Sequence, residues 1–227
     1  MARRDMRFEV RETGWGEYRE VDVALAVRKV TARASERIAR SAFALAMKRR
    51  RKVTAVHKQN VLRVSDGLFL EKVRTVAKEY PDVAYDEQLI DSMAAMLVRD
   101  AARYDVVVTT NMYGDILSDE ASELSGSLGL AGSINASDTR CMAQAQHGSA
   151  PDIAKKDLAN PTSLMLSAAM LLEWLSIRHR REELAVASRA IDAAVDALLK
   201  DPARRTRDLG GALGTQAFAD ALCLELG

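Results

Sequence analysis

The sequence predicts an α/β protein with much parallel strand pairing. Three observations carry this. Short β-branched or apolar runs alternate along the chain with segments of helical periodicity. The run DVVVTT (105–110) has no charge after its first residue, as expected of a strand buried on both faces. Strand-like and helix-like segments interleave rather than cluster, which favours crossover connections over hairpins.

Taken in order, a short strand over 7–11 opens the chain and a turn through Gly14 and Gly16 follows it. Over 34–48 the apolar residues Ile38, Ala39, Ala42, Phe43 and Ala46 recur at helical spacing. The run 52–58 alternates apolar and polar residues and reads as a strand. Segment 65–80 reads as helix, 83–89 as extended, 90–100 as helix, 105–110 as strand and 115–125 as helix. A glycine-rich loop comes next, then helices near 161–177, 181–200 and 215–226. The tail reads as almost entirely helical, so a boundary near residue 131 divides the chain into parts 1–130 and 131–227.

Composition bounds the function. The 227 residues hold 33 Lys+Arg against 32 Asp+Glu, with 48 % hydrophobic and 29 % charged residues. Those values are ordinary for a globular protein and exclude a disordered chain, a collagen-like fibre or a charged tail. A formal charge of +1 gives no overall field to attract nucleic acid or anionic lipid. Cys141 and Cys223 match no metal or redox spacing, so a reducing compartment is expected. The apolar stretch 164–175 falls short of the roughly 20 residues a membrane span needs. The opening MARRDMRFEV lacks the apolar middle of a signal peptide. The expectation is a soluble cytoplasmic protein without nucleic-acid or membrane partners. The basic run 48–52 reads as a solvated helix end rather than a phosphate-binding patch. Met93, Met96, Met142, Met165 and Met170 read as core, and Trp15 and Trp174 as packing residues.

Three segments carry chemistry. In NMYGDILSD (111–119), directly after the buried strand, Asp115 and Asp119 stand at i and i+4 on one helical face. Two carboxylates at a strand's C-terminal end suit a hard cation such as Mg²⁺ or Mn²⁺, and Asp91 at another strand-to-helix transition is a third candidate ligand. Acidic residues complementing a helix N-terminus are the alternative. In VHKQNV (56–61), Lys58 ends a strand, where it is either a proton-transfer group near a cation or an ordinary solvated lysine. In HGSAPDI (147–153), small residues expose backbone N–H groups to a nucleotide. Asp152 there could accept from ribose hydroxyls, as acidic residues do for NAD; a plain tight turn is the alternative. No G-x-G-x-x-G fingerprint is present.

Together, VTAVHKQNVL (53–62), NMYGDILSDEASELSGSLGL (111–130) and HGSAPDI followed by ANP (147–153, 159–161) resemble the decarboxylating β-hydroxyacid dehydrogenases. These are the isopropylmalate, isocitrate, homoisocitrate and tartrate/D-malate dehydrogenases. The resemblance implies an isopropylmalate dehydrogenase-like fold, with 1–130 a dimerisation and metal/substrate domain and 131–227 part of the cofactor domain. It implies that Arg11 grips a substrate carboxylate, that Tyr18 protonates the product enol, and that Lys58 is catalytic with Asn60 beside it. Asp91, Asp115 and Asp119 then hold Mg²⁺ or Mn²⁺, and Lys58 and Asp91 reach into the partner's site of a homodimer. His147, Gly148, Ser149, Ala150, Asp152, Ile153 and Asn160 form the loop for the adenosine half of NAD. The activity implied is oxidative decarboxylation of a malate-type 2-hydroxy acid.

There are also departures from the family pattern. The family's opening third, with its substrate-selecting residues and two further substrate arginines, has no counterpart in the sequence. The helices of 131–227 are therefore expected to expose apolar faces. Gln144 stands where a glutamate is usual, Lys155 where a glycine is usual, and the connection after RETGWGEYRE is short. The competing expectation is an inactive family remnant serving as a folded dimeric module.

Overall fold

The computed structural model describes residues 26–227. The expected strand over 7–11, the glycine turn, Arg11, Trp15 and Tyr18 lie outside the described residues.

The first helix, α1 (Ala32–Met47), starts where the Thr31 side chain accepts from the Ala34 N–H at 3.2 Å. It buries Ala39, Ala42, Phe43 and Ala46, four of the five residues that set its sequence periodicity. Ile38, the fifth, is exposed. The chain then reverses through Arg51, at φ 58°, into β1 (Lys52–His57). Helix α2 (Ser65–Ala77), strand β2 (Ala84–Leu89), helix α3 (Ile90–Asp100), strand β3 (Val106–Val108) and helix α4 (Asn111–Leu124) follow. The three strands form a parallel sheet in the order β2-β1-β3.

Alternation along the central strand separates two packed layers. Val53 and Ala55 join Phe43 of α1 and Phe69, Leu70 and Val73 of α2. Val56 points the other way and joins Met93 and Leu97 of α3, Tyr104, and Leu117 of α4. Both faces of β1 are thus covered, as parallel pairing requires. Strand β3 is shorter than expected and sealed on one face only. Val106 and Val108 are buried but Val107 is 36 % exposed. The ladder stops at Thr109, whose hydroxyl donates to the Val56 carbonyl at 2.7 Å and leaves the chain free to turn into α4.

The second correction concerns the tail. Between α4 and the later helices lies an antiparallel hairpin, β4 (Gly132–Ala136) and β5 (Cys141–Ala145), rather than a plain loop. Apart from Ile134 and Met142 its residues are small or polar, and the hairpin packs against α5 (Thr162–His179). The Ser167 hydroxyl, buried on α5, accepts from the Ser133 N–H and donates to the Gln144 carbonyl. Helices α5, α6 (Glu182–Lys200) and α7 (Thr215–Leu226) enclose a separate core of Val195, Leu198, Phe218 and Leu222. Met142 lies on the outer side of the hairpin, 55 % exposed, and Met170 is 38 % exposed, so neither is core. Met93 is fully buried, as expected. Leu164, Ile177, Val186 and Leu224 are exposed on these helices.

The basic run is held by local partners. Lys48 pairs with Glu173, Arg49 with Asp105 and Lys52 with Asp86, while Arg50 donates to the Ala102 and Tyr104 carbonyls. Among the described residues no helix is long and apolar enough to cross a membrane.

Phe43 is fully buried and stacks on Tyr80 at 5.3 Å between centroids, with Tyr85 at 6.0 Å. Phe43→Ala should therefore cost about 3–5 kcal/mol in urea unfolding. A loss below about 1 kcal/mol would contradict this packing.

Candidate active site

The parallel register assembles the candidate residues. His57 of β1 pairs with Leu89 of β2, so Lys58 and Asp91 leave neighbouring strands at the same, C-terminal edge. The Lys58 Nζ lies 2.8 Å from Asp91 Oδ1, and this pair holds the Asp91 carboxyl below its ordinary value. Asn111 to Asp119 follow β3 at that same edge. Carboxyl edges of parallel strands are where open α/β sheets bind ligands, because the strands diverge there into separate loops.

Lys58 is fixed from beneath. Its backbone N–H donates to Asp66 Oδ2 at 2.7 Å, and Asp66, fully buried, lies with its other oxygen 3.0 Å from Arg28 Nη1. Arg28 also donates to the Thr110 hydroxyl and sits over the Tyr113 ring at 5.0 Å. The lysine loop and the start of α4 therefore share one ionic strut. Asn60 is exposed in the turn after Lys58.

Asp115 and Asp119 are exposed on α4. Asp119 Oδ1 accepts from Gln146 Nε2 at 3.0 Å. The Asp115 backbone carbonyl accepts from Ser118 Oγ at 3.1 Å. The two carboxylates, as oxygen donors, fit a hard divalent cation. Among the described residues no group of three His, Cys, Asp or Glu side chains is gathered closely enough to hold a metal. Asp91 is thus not brought to Asp115 and Asp119 within one protomer, and it stands with Lys58 instead.

The third segment borders a cleft of about 600 Å³. Its walls include His147, Gly148, Ser149, Ala150, Ile153 and Asn160. Asp152 is exposed on the short turn Pro151–Ile153 and lies outside the cleft wall, unlike its neighbour Ile153. His147 Nδ1 is 2.9 Å from the Gly148 carbonyl, an acceptor only, which fixes the proton on Nδ1. Ala150, Lys155 and Asp157 hold positive φ of 39°, 64° and 53°. Lys155, where the family pattern has glycine, therefore adopts a backbone conformation that glycine would take more easily.

Asp208 went unrecognised in the sequence. Its Oδ2 accepts from Ser127 Oγ at 2.6 Å and from Asn160 Nδ2 at 2.9 Å, while Asn160 Oδ1 accepts from the Thr162 N–H at the start of α5. Burial raises the Asp208 carboxyl, but the hydrogen bonds it accepts, that from Ser127 first, together outweigh burial and leave it below its ordinary value. No local signal could reveal this brace, since Asp208 lies 48 residues beyond Asn160. Gly129 completes it. A Cβ there would stand 2.7 Å from Asn160 Cβ, so only glycine lets the two segments close.

The comparisons with known proteins identify the family. A family model, isocitrate/isopropylmalate dehydrogenase, matches residues 7–222. The isocitrate/homoisocitrate dehydrogenase of Thermus thermophilus is 46 % identical over 207 residues, 91 % of this chain and 60 % of that protein. An Arabidopsis thaliana mitochondrial isocitrate dehydrogenase [NAD] catalytic subunit is 41 % identical over 225 residues, 96 % of this chain and 58 % of that one. The crystal structure of isocitrate dehydrogenase from Methylococcus capsulatus superposes with TM-score 0.80 at 42 % identity, covering 88 % of this chain and 58 % of that one. The fold is that of a decarboxylating-dehydrogenase α/β protein. This chain belongs to the isocitrate/isopropylmalate dehydrogenase family, and it spans about 60 % of the length of the relatives it matches.

Two outcomes test the geometry. Asp66→Ala removes the acceptor of the Lys58 N–H and leaves Arg28 without its carboxylate, which should cost about 2 kcal/mol in urea unfolding; an unchanged midpoint would refute the strut. Asp208 has a lowered carboxyl in the folded state, so its contribution is present above the ordinary Asp value and is lost as pH falls through the folded one. Asp208→Asn should accordingly flatten the loss of stability with acid below about pH 4. A slope identical to wild type would contradict the brace.

Proposed function

We propose that this chain serves NAD- and divalent-metal-dependent oxidative decarboxylation of a malate-type 2-hydroxy acid, of the isocitrate, homoisocitrate, 3-isopropylmalate and tartrate/D-malate class. The observation that carries this reading is the common edge of the parallel sheet, where Lys58, Asp91 and the Asp115/Asp119 face follow three neighbouring strands. The relatives' dehydrogenase names support it.

In this reading the unit is a homodimer, with Lys58 and Asp91 of one protomer completing the partner's site. That accounts for two carboxylates, rather than three, standing together among the described residues of one chain. Asp115 and Asp119, with Asp91 from the other protomer, hold Mg²⁺ or Mn²⁺. When bound, the cation supplies Lewis-acid polarisation of the substrate hydroxyl and offsets the charge that develops as CO₂ leaves. Lys58 would take the proton from the hydroxyl oxygen, and NAD⁺, when bound, would supply the acceptor for the hydride of the carbon that bears it. Breaking the bond to the leaving carboxylate then delivers its electron pair to the adjacent carbon, which Tyr18 protonates. Arg11 anchors a remaining carboxylate and Asn60 lines the approach to Lys58. The walls around His147 to Ile153 and Asn160 receive the adenosine half of NAD. Asp152, exposed beside the cleft-wall residue Ile153, would accept from the ribose hydroxyls of a dinucleotide and disfavour a 2′-phosphate. Neither nucleic acid nor membrane is a partner, and the compartment is the cytoplasm.

The competing reading is an inactive dimeric module. Both are decided by following NADH at 340 nm with Mn²⁺, NAD⁺ and a panel of D-malate, tartrate, isocitrate and 3-isopropylmalate. Turnover that disappears in Asp115→Asn supports the enzyme. A folded dimer without turnover supports the module, and a monomer at micromolar concentration removes the shared site.

A further inference from the structure

We infer that Gln146 is a positioning residue that holds Asp119 and couples cation binding on α4 to dinucleotide binding in the cleft. The inference rests on the functional reading above and goes beyond it, to how the two ligands communicate within one chain. Gln146 sits where two structures meet. It follows β5 and immediately precedes His147, the first residue of the cleft wall. Its Nε2 donates to Asp119 Oδ1 across to α4 at 3.0 Å. Its backbone N–H donates at 3.0 Å to Ser163 Oγ, itself buried in the first turn of α5. The Ser163 hydroxyl in turn donates to the Ala131 carbonyl at the entrance to β4. One residue is thus tied by its side chain to a candidate metal ligand and by its backbone to the frame of the cofactor cleft.

The chemistry of the bond fits that role. An amide N–H given to one carboxylate oxygen fixes the rotamer of an exposed aspartate and leaves its second oxygen to a cation, which lowers the ordering cost of binding. The contact is an exposed amide–carboxylate hydrogen bond rather than a buried ion pair, so it adds little to global stability while still orienting the group. Because the same residue begins the loop that carries His147 to Ile153, a cation that fixes Asp119 also fixes the loop's origin. Linkage then requires that dinucleotide tighten the cation by the same factor.

The test uses the full chain and Gln146→Met, which keeps the side chain's length and removes its donor. Mn²⁺ affinity is read by electron paramagnetic resonance and NADH affinity by fluorescence, each with and without the other ligand, and folding by thermal melting. The expected result is Mn²⁺ bound about tenfold more weakly by the variant, with the mutual enhancement of Mn²⁺ and NADH lost and the melting temperature unchanged. In an Asp119→Ala background the Gln146 substitution should have no further effect on NADH affinity, since the bond is already gone. A variant that binds both ligands with wild-type affinity and enhancement overturns the role and leaves the functional reading intact. A variant that weakens both only in step with a lowered melting temperature also overturns it, as a structural effect. Wild-type protein that binds neither ligand overturns the functional reading and this inference together.

Discussion

A single buried carboxylate organises the C-terminal edge of the parallel sheet. Asp66, fully buried at the start of α2, accepts from the Lys58 N–H and faces Arg28, which in turn reaches Thr110 and Tyr113 at the start of α4. A buried carboxylate without such partners would be expelled or protonated, so the three segments are obliged to meet at this point. The residues after β1 and after β3 consequently keep a fixed relation, although they lie some 50 positions apart in the chain. The exposed Lys58–Asp91 pair is secondary to it. Its geometry follows from the parallel register beneath and the strut behind, and a surface pair of this kind contributes little stability by itself.

The cleft in the second half of the chain is held by a different device. Its loop carries three non-glycine residues at positive φ, a conformation that persists only where surrounding contacts impose it. Those contacts are polar. Ser127, Asn160 and Asp208 converge from three separate segments, and Asp157 accepts from the Gln216 N–H at the start of α7. Small residues such as Gly129, Gly148, Ser149 and Ala150 share the wall with Leu128, Ile153 and Leu158, so a flat ligand could approach the backbone between apolar side chains. The two halves thus use opposite means, an ionic strut under a parallel sheet and a hydrogen-bonded frame around a strained loop. They are bridged at the Gln146–Asp119 contact.

Much of this was legible from local pattern. Helix α1 follows from periodicity, because a helix that packs on one face must repeat its apolar residues every three or four positions, and the other helices lie close to their expected places, α4 beginning four residues earlier at Asn111. Lys58, Asp91 and the Asp115/Asp119 pair were legible as strand ends and helix starts. The hairpin β4–β5 was not, since apart from Ile134 and Met142 its residues are small or polar and its backbone is tied to Ser167 of α5. Val107 was misread because a run of valines does not disclose which face lacks a neighbour. Asp208 and Gln146 escaped notice because their partners are remote in sequence, at Asn160 and Asp119.

By itself the sequence determined the alternation of strands and helices, the family and the residues available for chemistry, because these depend on local periodicity and on contiguous motifs. Only the tertiary structure decided which of those residues stand together. It set Lys58 against Asp91, kept Asp91 away from Asp115 and Asp119, and turned Asp152 out of the cleft wall. The physical reason is that strand register and buried polar pairing act between segments far apart in the chain. Proximity at the site is therefore a property of the packed sheet and its struts, which no stretch of sequence carries alone.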